Sequence, residues 1–79
     1  MLTRPRYPLP PDIAQLLDER ELRADYDARP AYQRNDYVGW IGRAKTAATR
    51  TRRVEVMLTE LAEGGVYMGM QHAPSRKSS

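Results

Sequence analysis

Apolar side chains recur at helical spacing in four separate stretches of this chain, and residues that end helices lie between the stretches. In the first stretch, Ile13, Leu16 and Leu17 share one face of an α-helix. Pro11 suits the first position of that helix, because its fixed φ is helical and its missing N–H would have no partner there. The pattern predicts a first helix over residues 11–18.

The second stretch is short and lies between a turn signal and a proline. Leu22 and Tyr26 are four residues apart, and Asp18 with Glu21 three residues later resembles a capping box. Pro30 ends the stretch, because a proline disfavours helical backbone at the residue before it. We therefore expect a second short helix that begins directly after Asp18.

The third and fourth stretches are longer. Pro30 can begin a third helix that runs to about residue 44, in which Tyr37 and Ile41 share a face and Trp40 lies at its flank. Thr46 is a suitable N-cap for a fourth helix over residues 47–63. The apolar face of that helix consists of Val54, Met57, Leu58 and Leu61. The pair Gly64-Gly65 is typical of a helix end.

The two ends of the chain lack helical periodicity. Residues 1–10 contain three of the prolines and predict an extended arm that Tyr7 and Leu9 could hold against the surface. Residues 64–79 predict a flexible tail. Its apolar residues, which either fold back onto the core or fray, are Val66, Tyr67, Met68 and Met70.

These elements predict an all-α fold: a compact bundle of about four short helices in residues 11–63, between the extended arm and the flexible tail. No strand pair is predicted. The larger apolar side chains of the helices supply the expected core, which comprises Ile13, Leu16, Leu17, Leu22, Tyr26, Tyr37, Trp40, Ile41, Val54, Met57, Leu58 and Leu61.

Composition excludes several classes of protein. The 79 residues include no cysteine and one histidine, His72, so we expect no disulfide scaffold, no thiol chemistry, no metal site and no cofactor. No Ser-His-Asp set or phosphate-binding glycine loop is present, so we do not expect an enzyme. No apolar run approaches the roughly 20 residues of a membrane span, and no export signal is visible, so we expect a cytoplasmic protein.

Charge divides the chain more sharply than its net value of +3 suggests. Acidic residues dominate positions 11–28, and basic residues dominate positions 29–53. The two segments can pair with each other when the domain closes, or they can leave a basic face for an anionic partner.

Basic side chains and one tryptophan cluster around the link between the third and fourth helices. This basic junction consists of Arg43, Lys45, Arg50, Arg52, Arg53 and Trp40. It is the expected contact surface for an acidic protein or peptide. A nucleic acid is the alternative partner, although the sequence has no RNA-recognition motif, zinc finger or basic zipper.

Arg50 has two interpretations. It heads the apolar stripe of the fourth helix, so we expect a half-buried guanidinium paired with the carboxylate of Asp25, Asp27 or Asp36. The alternative is that Arg50 joins other cations of the basic junction around an anionic ligand at the start of that helix.

Gly39 and Gly42 lie on the side of the third helix that faces away from the expected core. In a helix interior, each glycine lowers the stability of the helix by roughly 1 kcal/mol relative to alanine, and the sequence shows no local interaction that offsets this loss. The two glycines therefore have two interpretations. They lie either on a solvent-exposed face whose residues are not constrained, or on a helix face without side chains through which two copies form a homodimer.

The most distinctive residues of the chain form two motifs. The first runs from Tyr37 through Trp40-Ile41 to Ala44-Lys45, and the second is Thr49-Arg50, followed two residues later by Arg53-Val54. These motifs resemble those of the YdeI/OmpD-associated, or bacteriocin-protection, family. The upstream Leu9-Pro-Pro-Asp-Ile13 is similar to the start of that family's pattern, and the similarity covers roughly residues 9–62.

The resemblance implies a small helical region with a loose link to protection against bacteriocins and antimicrobial peptides, and it implies no catalytic mechanism. Arg29 stands where the family usually has a serine or threonine cap. Combined with the charge pattern, the resemblance predicts an interaction module in stress or antimicrobial-peptide resistance.

Overall fold

Four helices and a short two-stranded ribbon make up the computed structural model, which describes residues 6–67 and the backbone of residues 70 and 71. In chain order the elements are α1 (Pro11–Glu19), α2 (Arg23–Ala28), α3 (Ala31–Gly42), α4 (Ala47–Glu63), β1 (Val66–Tyr67) and β2 (Met70–Gln71). The all-α class is confirmed, with the ribbon as an addition. The rest of the predicted tail, with His72, Arg76 and Lys77, and residues 1–5 of the arm lie outside the described residues.

Helix α4 has the bounds and both ends that the sequence predicts. The Thr46 hydroxyl accepts a hydrogen bond from the N–H of Thr49 at 3.1 Å, which satisfies one of the unpaired donors at the helix start. At the other end Gly64 adopts φ 87°, and its N–H donates to the Glu60 carbonyl at 2.9 Å. That left-handed conformation is one that glycine adopts at little cost.

The core lies where α1, α2, α3 and α4 converge, and it matches the predicted set closely. Its buried apolar side chains are Ile13, Leu17, Tyr26, Tyr37, Ile41, Val54, Met57, Leu58 and Leu61. Partly buried side chains pack around them: Leu9, Leu16, Leu22, Trp40 and Tyr67. All twelve predicted core residues therefore contribute, and Leu9 and Tyr67 extend the core from outside the helices.

A buried polar cluster, made of Arg29, Gln33, Tyr37 and Glu60, lies beside this apolar core. Arg29 is only 4% exposed and donates to the Gln33 amide oxygen at 3.2 Å and to the backbone carbonyl of Glu60 at 3.0 Å. The Tyr37 hydroxyl donates to the Glu60 carboxylate. No buried side-chain nitrogen or oxygen among the described residues lacks a partner. The cluster therefore ties the end of α2 and the start of α3 to α4.

The corner between α1 and α2 differs from the prediction. Asp18 does not cap a second helix, because α1 continues to Glu19 and α2 starts only at Arg23. Glu21 takes the left-handed φ of 57°, and the Leu22 N–H donates to the Leu17 carbonyl at 2.8 Å. This bonding pattern is a Schellman end of α1, so the capping-box interpretation was wrong.

The start of the predicted flexible tail packs against the helices instead. The strand Val66–Tyr67 pairs with Met70–Gln71 in an antiparallel ribbon, a strand pair that the sequence did not predict. The Tyr67 hydroxyl donates to the Asp36 carboxylate at 2.6 Å, and the Tyr67 ring meets the Tyr37 ring edge to face at 5.5 Å. Tyr67 therefore folds back onto the core, which is one of the two expected outcomes.

The described part of the predicted arm lies against α3, where Tyr7 and Leu9 hold it. The Tyr7 N–H donates to the Asn35 side-chain oxygen at 2.8 Å, while Leu9 packs against the core. The Tyr7 ring lies on Gly39, which is buried as a result. Among the described residues, none lies within 4 Å of a Cβ added at Gly42, so the back of α3 is open at that position. A homodimer contact through both glycines does not fit this arrangement.

Candidate basic interface at the α3–α4 junction

The structure brings Arg53 and Trp40 together at the centre of the basic junction. Arg53 Nη1 donates to the backbone carbonyl of Trp40 at 2.6 Å, and its guanidinium carbon lies 5.1 Å from the centre of the Trp40 ring. The carbonyls in the last turn of a helix carry partial negative charge and can accept a further hydrogen bond, so they attract a cation. Arg53 therefore links α4 to the end of α3 through a hydrogen bond and a cation–π contact.

Arg50 is half-buried and paired with a carboxylate, as predicted, but the partner is not one of the predicted residues. Its Nη1 and Nη2 donate to the two carboxylate oxygens of Asp12 at 2.8 Å and 3.2 Å. The Arg50 and Asp12 side chains are 38% and 59% exposed, so the pair lies at the rim of the core. Asp25, Asp27 and Asp36, the predicted partners, do not bind Arg50.

The Asp12–Arg50 pair affects the pKa of both groups. The hydrogen bonds from Arg50 hold the pKa of Asp12 below its ordinary value, and the same bonds raise the pKa of Arg50. Asp12 lies in the first turn of α1, where the helix dipole also favours a negative charge. The pair confirms that the acidic and basic segments of the sequence neutralise each other in part.

Arg43 and Lys45 are exposed cations at the link between α3 and α4. Arg43 follows the last residue of α3, and Lys45 lies in the link to α4. No carboxylate among the described residues comes within ion-pair distance of either side chain. Their charges are therefore not neutralised by a neighbouring acid in the described part of the chain.

Arg52 lies apart from the other members of the basic junction. It is two residues from Arg50 on α4, a spacing that places the two on opposite sides of a helix. Arg52 lines an open groove of about 370 Å³ between α4 and the ribbon. The other residues that line the groove are Glu55, Val56, Thr59, Glu60, Glu63 and Val66. Among the six predicted site residues, the described contacts join Arg53 to Trp40. That the other predicted residues form one surface with this pair stays a prediction.

The sequence interpretation missed two features: the place of Tyr7 beside this region and the burial of Arg29 elsewhere in the fold. Tyr7 of the arm lies next to Arg43, since its ring and Arg43 Nη1 both approach the point where a Gly39 Cβ would lie. Arg29, rather than Arg50, is the buried arginine. The helical pattern of the sequence gives no indication that Arg29 is buried. The burial of Gln33 could have been predicted, because Gln33 lies one turn before Tyr37 on the same face of α3.

The arrangement provides positive charge next to an aromatic ring, which is suited to binding an anionic surface. Among the described residues, no group of three or more histidine, cysteine, aspartate or glutamate side chains is placed to hold a metal ion. No helix in the described part of the chain is long and apolar enough to cross a membrane.

Comparison with known proteins identifies one family. The family described as "Bacteriocin-protection, YdeI or OmpD-Associated" matches residues 6–64. This range contains the arm from Arg6, all four helices and every residue of the basic junction. No curated protein and no solved structure matches the chain significantly.

Proposed function

Because the chain belongs to the bacteriocin-protection, YdeI or OmpD-associated family, we propose that it is a helical binding module that contributes to resistance against bacteriocins or antimicrobial peptides. Its basic junction contacts an acidic protein or peptide partner. The proposal involves no catalytic reaction, and a cytoplasmic location stays a prediction. The observation that carries it is the exposure of Arg43 and Lys45 without a neighbouring carboxylate in the described part of the chain.

The remaining members of the junction support binding in different ways. Arg53 and Trp40 hold each other in place, so a partner meets an ordered surface instead of two mobile side chains. Arg50 is only half-buried, and an incoming carboxylate can share its guanidinium with Asp12. We therefore expect Arg43 and Lys45 to provide most of the electrostatic attraction, with Arg50 as a secondary contact.

The test compares a double variant in the junction with a matched double variant elsewhere. Arg43→Gln/Lys45→Gln removes both exposed cations, whereas Arg23→Gln/Arg52→Gln removes the same charge from α2 and from the far side of α4. Binding of a fluorescent polyglutamate peptide is measured at low salt by fluorescence anisotropy. We expect the junction variant to bind roughly tenfold more weakly than wild type, since each surface cation contributes up to about 1 kcal/mol.

The control and a second probe separate the outcomes. The Arg23→Gln/Arg52→Gln variant should bind nearly as tightly as wild type, and equal losses in both variants would mean that only net charge matters. Single-stranded and duplex oligonucleotides are measured in parallel. Preferential binding of an oligonucleotide at equal charge would overturn the acidic-protein proposal in favour of a nucleic-acid partner.

A further inference from the structure

The ring of Tyr7 occupies a position that only a glycine at residue 39 leaves open. A Cβ on Gly39 would lie 2.7 Å from Cε2 and 2.9 Å from Cδ2 of that ring, closer than such atoms approach each other. The glycine weakens a helix interior, and the gain that offsets this cost is close contact with the arm. The absence of a side chain at Gly39 therefore creates a packing site for the Tyr7 ring, which we call the seat.

The same seat adjoins the basic junction. Nη1 of Arg43 lies 3.1 Å from the Cβ position of Gly39, so the Arg43 guanidinium and the Tyr7 ring crowd the same point. While the ring is seated, the head group of Arg43 is turned towards α3 and the arm. One of the two exposed cations in the proposed interface is thus constrained by the arm.

Within the described part of the arm, few interactions hold residues 6–9 in place. Tyr7 is 41% exposed, and the hydrogen bond from its N–H to the Asn35 side chain is exposed to solvent as well. Leu9 is partly buried and forms the inner attachment of the segment. Segments with little buried apolar surface and exposed hydrogen bonds are those that open at low free-energy cost.

We propose that residues 6–9 are a strap that limits access of an acidic partner to the basic junction, and that release of Tyr7 from Gly39 frees Arg43 to bind. The inference rests on the proposed function, because it assigns a regulatory contact to the same surface. A partner that binds only when Tyr7 has left the seat increases the population of the open strap. The binding free energy of the partner compensates for the cost of opening.

Two glycine-to-alanine variants in the same helix test this proposal. Gly39→Ala places a methyl group in the seat and forces the ring out, whereas Gly42→Ala adds a methyl group where no described residue lies within 4 Å. Release of the strap is measured by tryptic cleavage of the bond between Arg6 and Tyr7, with the product identified by mass spectrometry. Cleavage should be faster in Gly39→Ala and unchanged in Gly42→Ala.

Affinity for the polyglutamate peptide is measured on the same proteins and on Tyr7→Ala, which removes the ring without altering α3. Gly39→Ala and Tyr7→Ala should both bind about threefold to fivefold more tightly than wild type, the gain expected when the exposed Arg43 guanidinium is no longer held beside Gly39 and can turn towards the peptide. Gly42→Ala should bind like wild type.

The outcomes distinguish the strap from the function on which it rests. If wild type binds the peptide and both strap variants bind it equally well, the strap does not control access, and the proposed function stands. If neither wild type nor any strap variant binds, the proposed function itself is overturned. Unchanged cleavage in Gly39→Ala would show that the ring is not held by the seat.

Discussion

At the residue scale, burial separates the two arginines that matter most for stability. Arg50 belongs to the first turn of α4, which extends beyond the core, so its guanidinium reaches Asp12 at the rim. Arg29 lies between α2 and Pro30, where the chain turns inward, and its guanidinium contacts Gln33 and Glu60. A helical wheel describes side chains within a helix, so it placed Arg50 at the edge of the core but gave no signal for Arg29, which follows the last residue of α2.

Arg29→Ala should therefore destabilise the protein far more than Arg50→Ala. Removal of Arg29 takes one hydrogen bond from each of two buried acceptors, the Gln33 amide oxygen and the Glu60 carbonyl, and we expect a loss of about 2–4 kcal/mol in the free energy of unfolding. Arg50→Ala breaks an exposed pair and should cost about 1 kcal/mol or less. Urea denaturation measures both values. Equal losses in the two variants would contradict the assignment of Arg29 as the buried ion.

The Asp12–Arg50 pair should make a small part of the stability depend on pH. Since the pKa of Asp12 is lowered in the folded state, its contribution is fully present above the ordinary pKa of an aspartate. It is lost as pH falls through the lowered value. The difference in melting temperature between wild type and Arg50→Ala should accordingly be small at pH 6 and should decrease as the pH is lowered through the acidic range. A difference that does not decrease would show that Arg50 stabilises the fold without Asp12.

At the element scale, the corner between α1 and α2 shows where a local signal failed. Asp18 and Glu21 have the spacing of a capping box, but the Schellman bonds at the end of α1 use the same residues. The packing of Leu17 and Leu22 into the core favours those bonds, because they set the direction of the chain between the two helices. As a result Glu21 is held in a left-handed conformation, which is unfavourable for a residue with a Cβ.

Glu21→Gly should stabilise the protein by about 0.5–1 kcal/mol, because glycine adopts the left-handed conformation without steric cost. Arg20→Gly is the control, since Arg20 has a φ of −89° and gains nothing from the same change. Thermal unfolding of the two variants gives opposite signs under this account. A loss of stability in Glu21→Gly would mean that the corner is not held in the Schellman conformation.

Helix α3 offers a second comparison of this kind. Gly42→Ala should raise the free energy of unfolding by about 0.5–1 kcal/mol, because alanine is the better helix former and no described residue opposes its Cβ. Gly39→Ala should give a smaller gain, because the same preference is offset by loss of the Tyr7 contact. Chemical denaturation of both variants checks this order. A larger gain in Gly39→Ala would show that Tyr7 contributes nothing to stability.

At the scale of the whole molecule, the sequence predicted the features that depend on local periodicity. The four helices, both ends of α4 and all the predicted core residues are present in the structure. The features that it missed are contacts between distant residues: Asp12 with Arg50, Tyr7 with Gly39, and Tyr67 with Asp36. Local patterns do not specify these pairings, because they form only when the helices have packed.

The candidate site divides in the same way. The sequence predicted a basic junction at the α3–α4 link, and the structure shows Arg53 in contact with Trp40 there. It could not show which partners Arg50 and Arg53 have within the chain, nor that Arg52 lies on another surface. Only the packed structure therefore distinguishes the exposed cations from those that stabilise the fold.

The salt dependence of binding tests the central claim most directly. The affinity of wild type and of Arg43→Gln/Lys45→Gln for an acidic peptide is measured over a series of sodium chloride concentrations. If Arg43 and Lys45 carry the contact, the logarithm of the wild-type affinity should fall as the logarithm of salt concentration rises, and the slope should be shallower by about 1–2 in the variant. Equal slopes for the two proteins would contradict a contact at the basic junction.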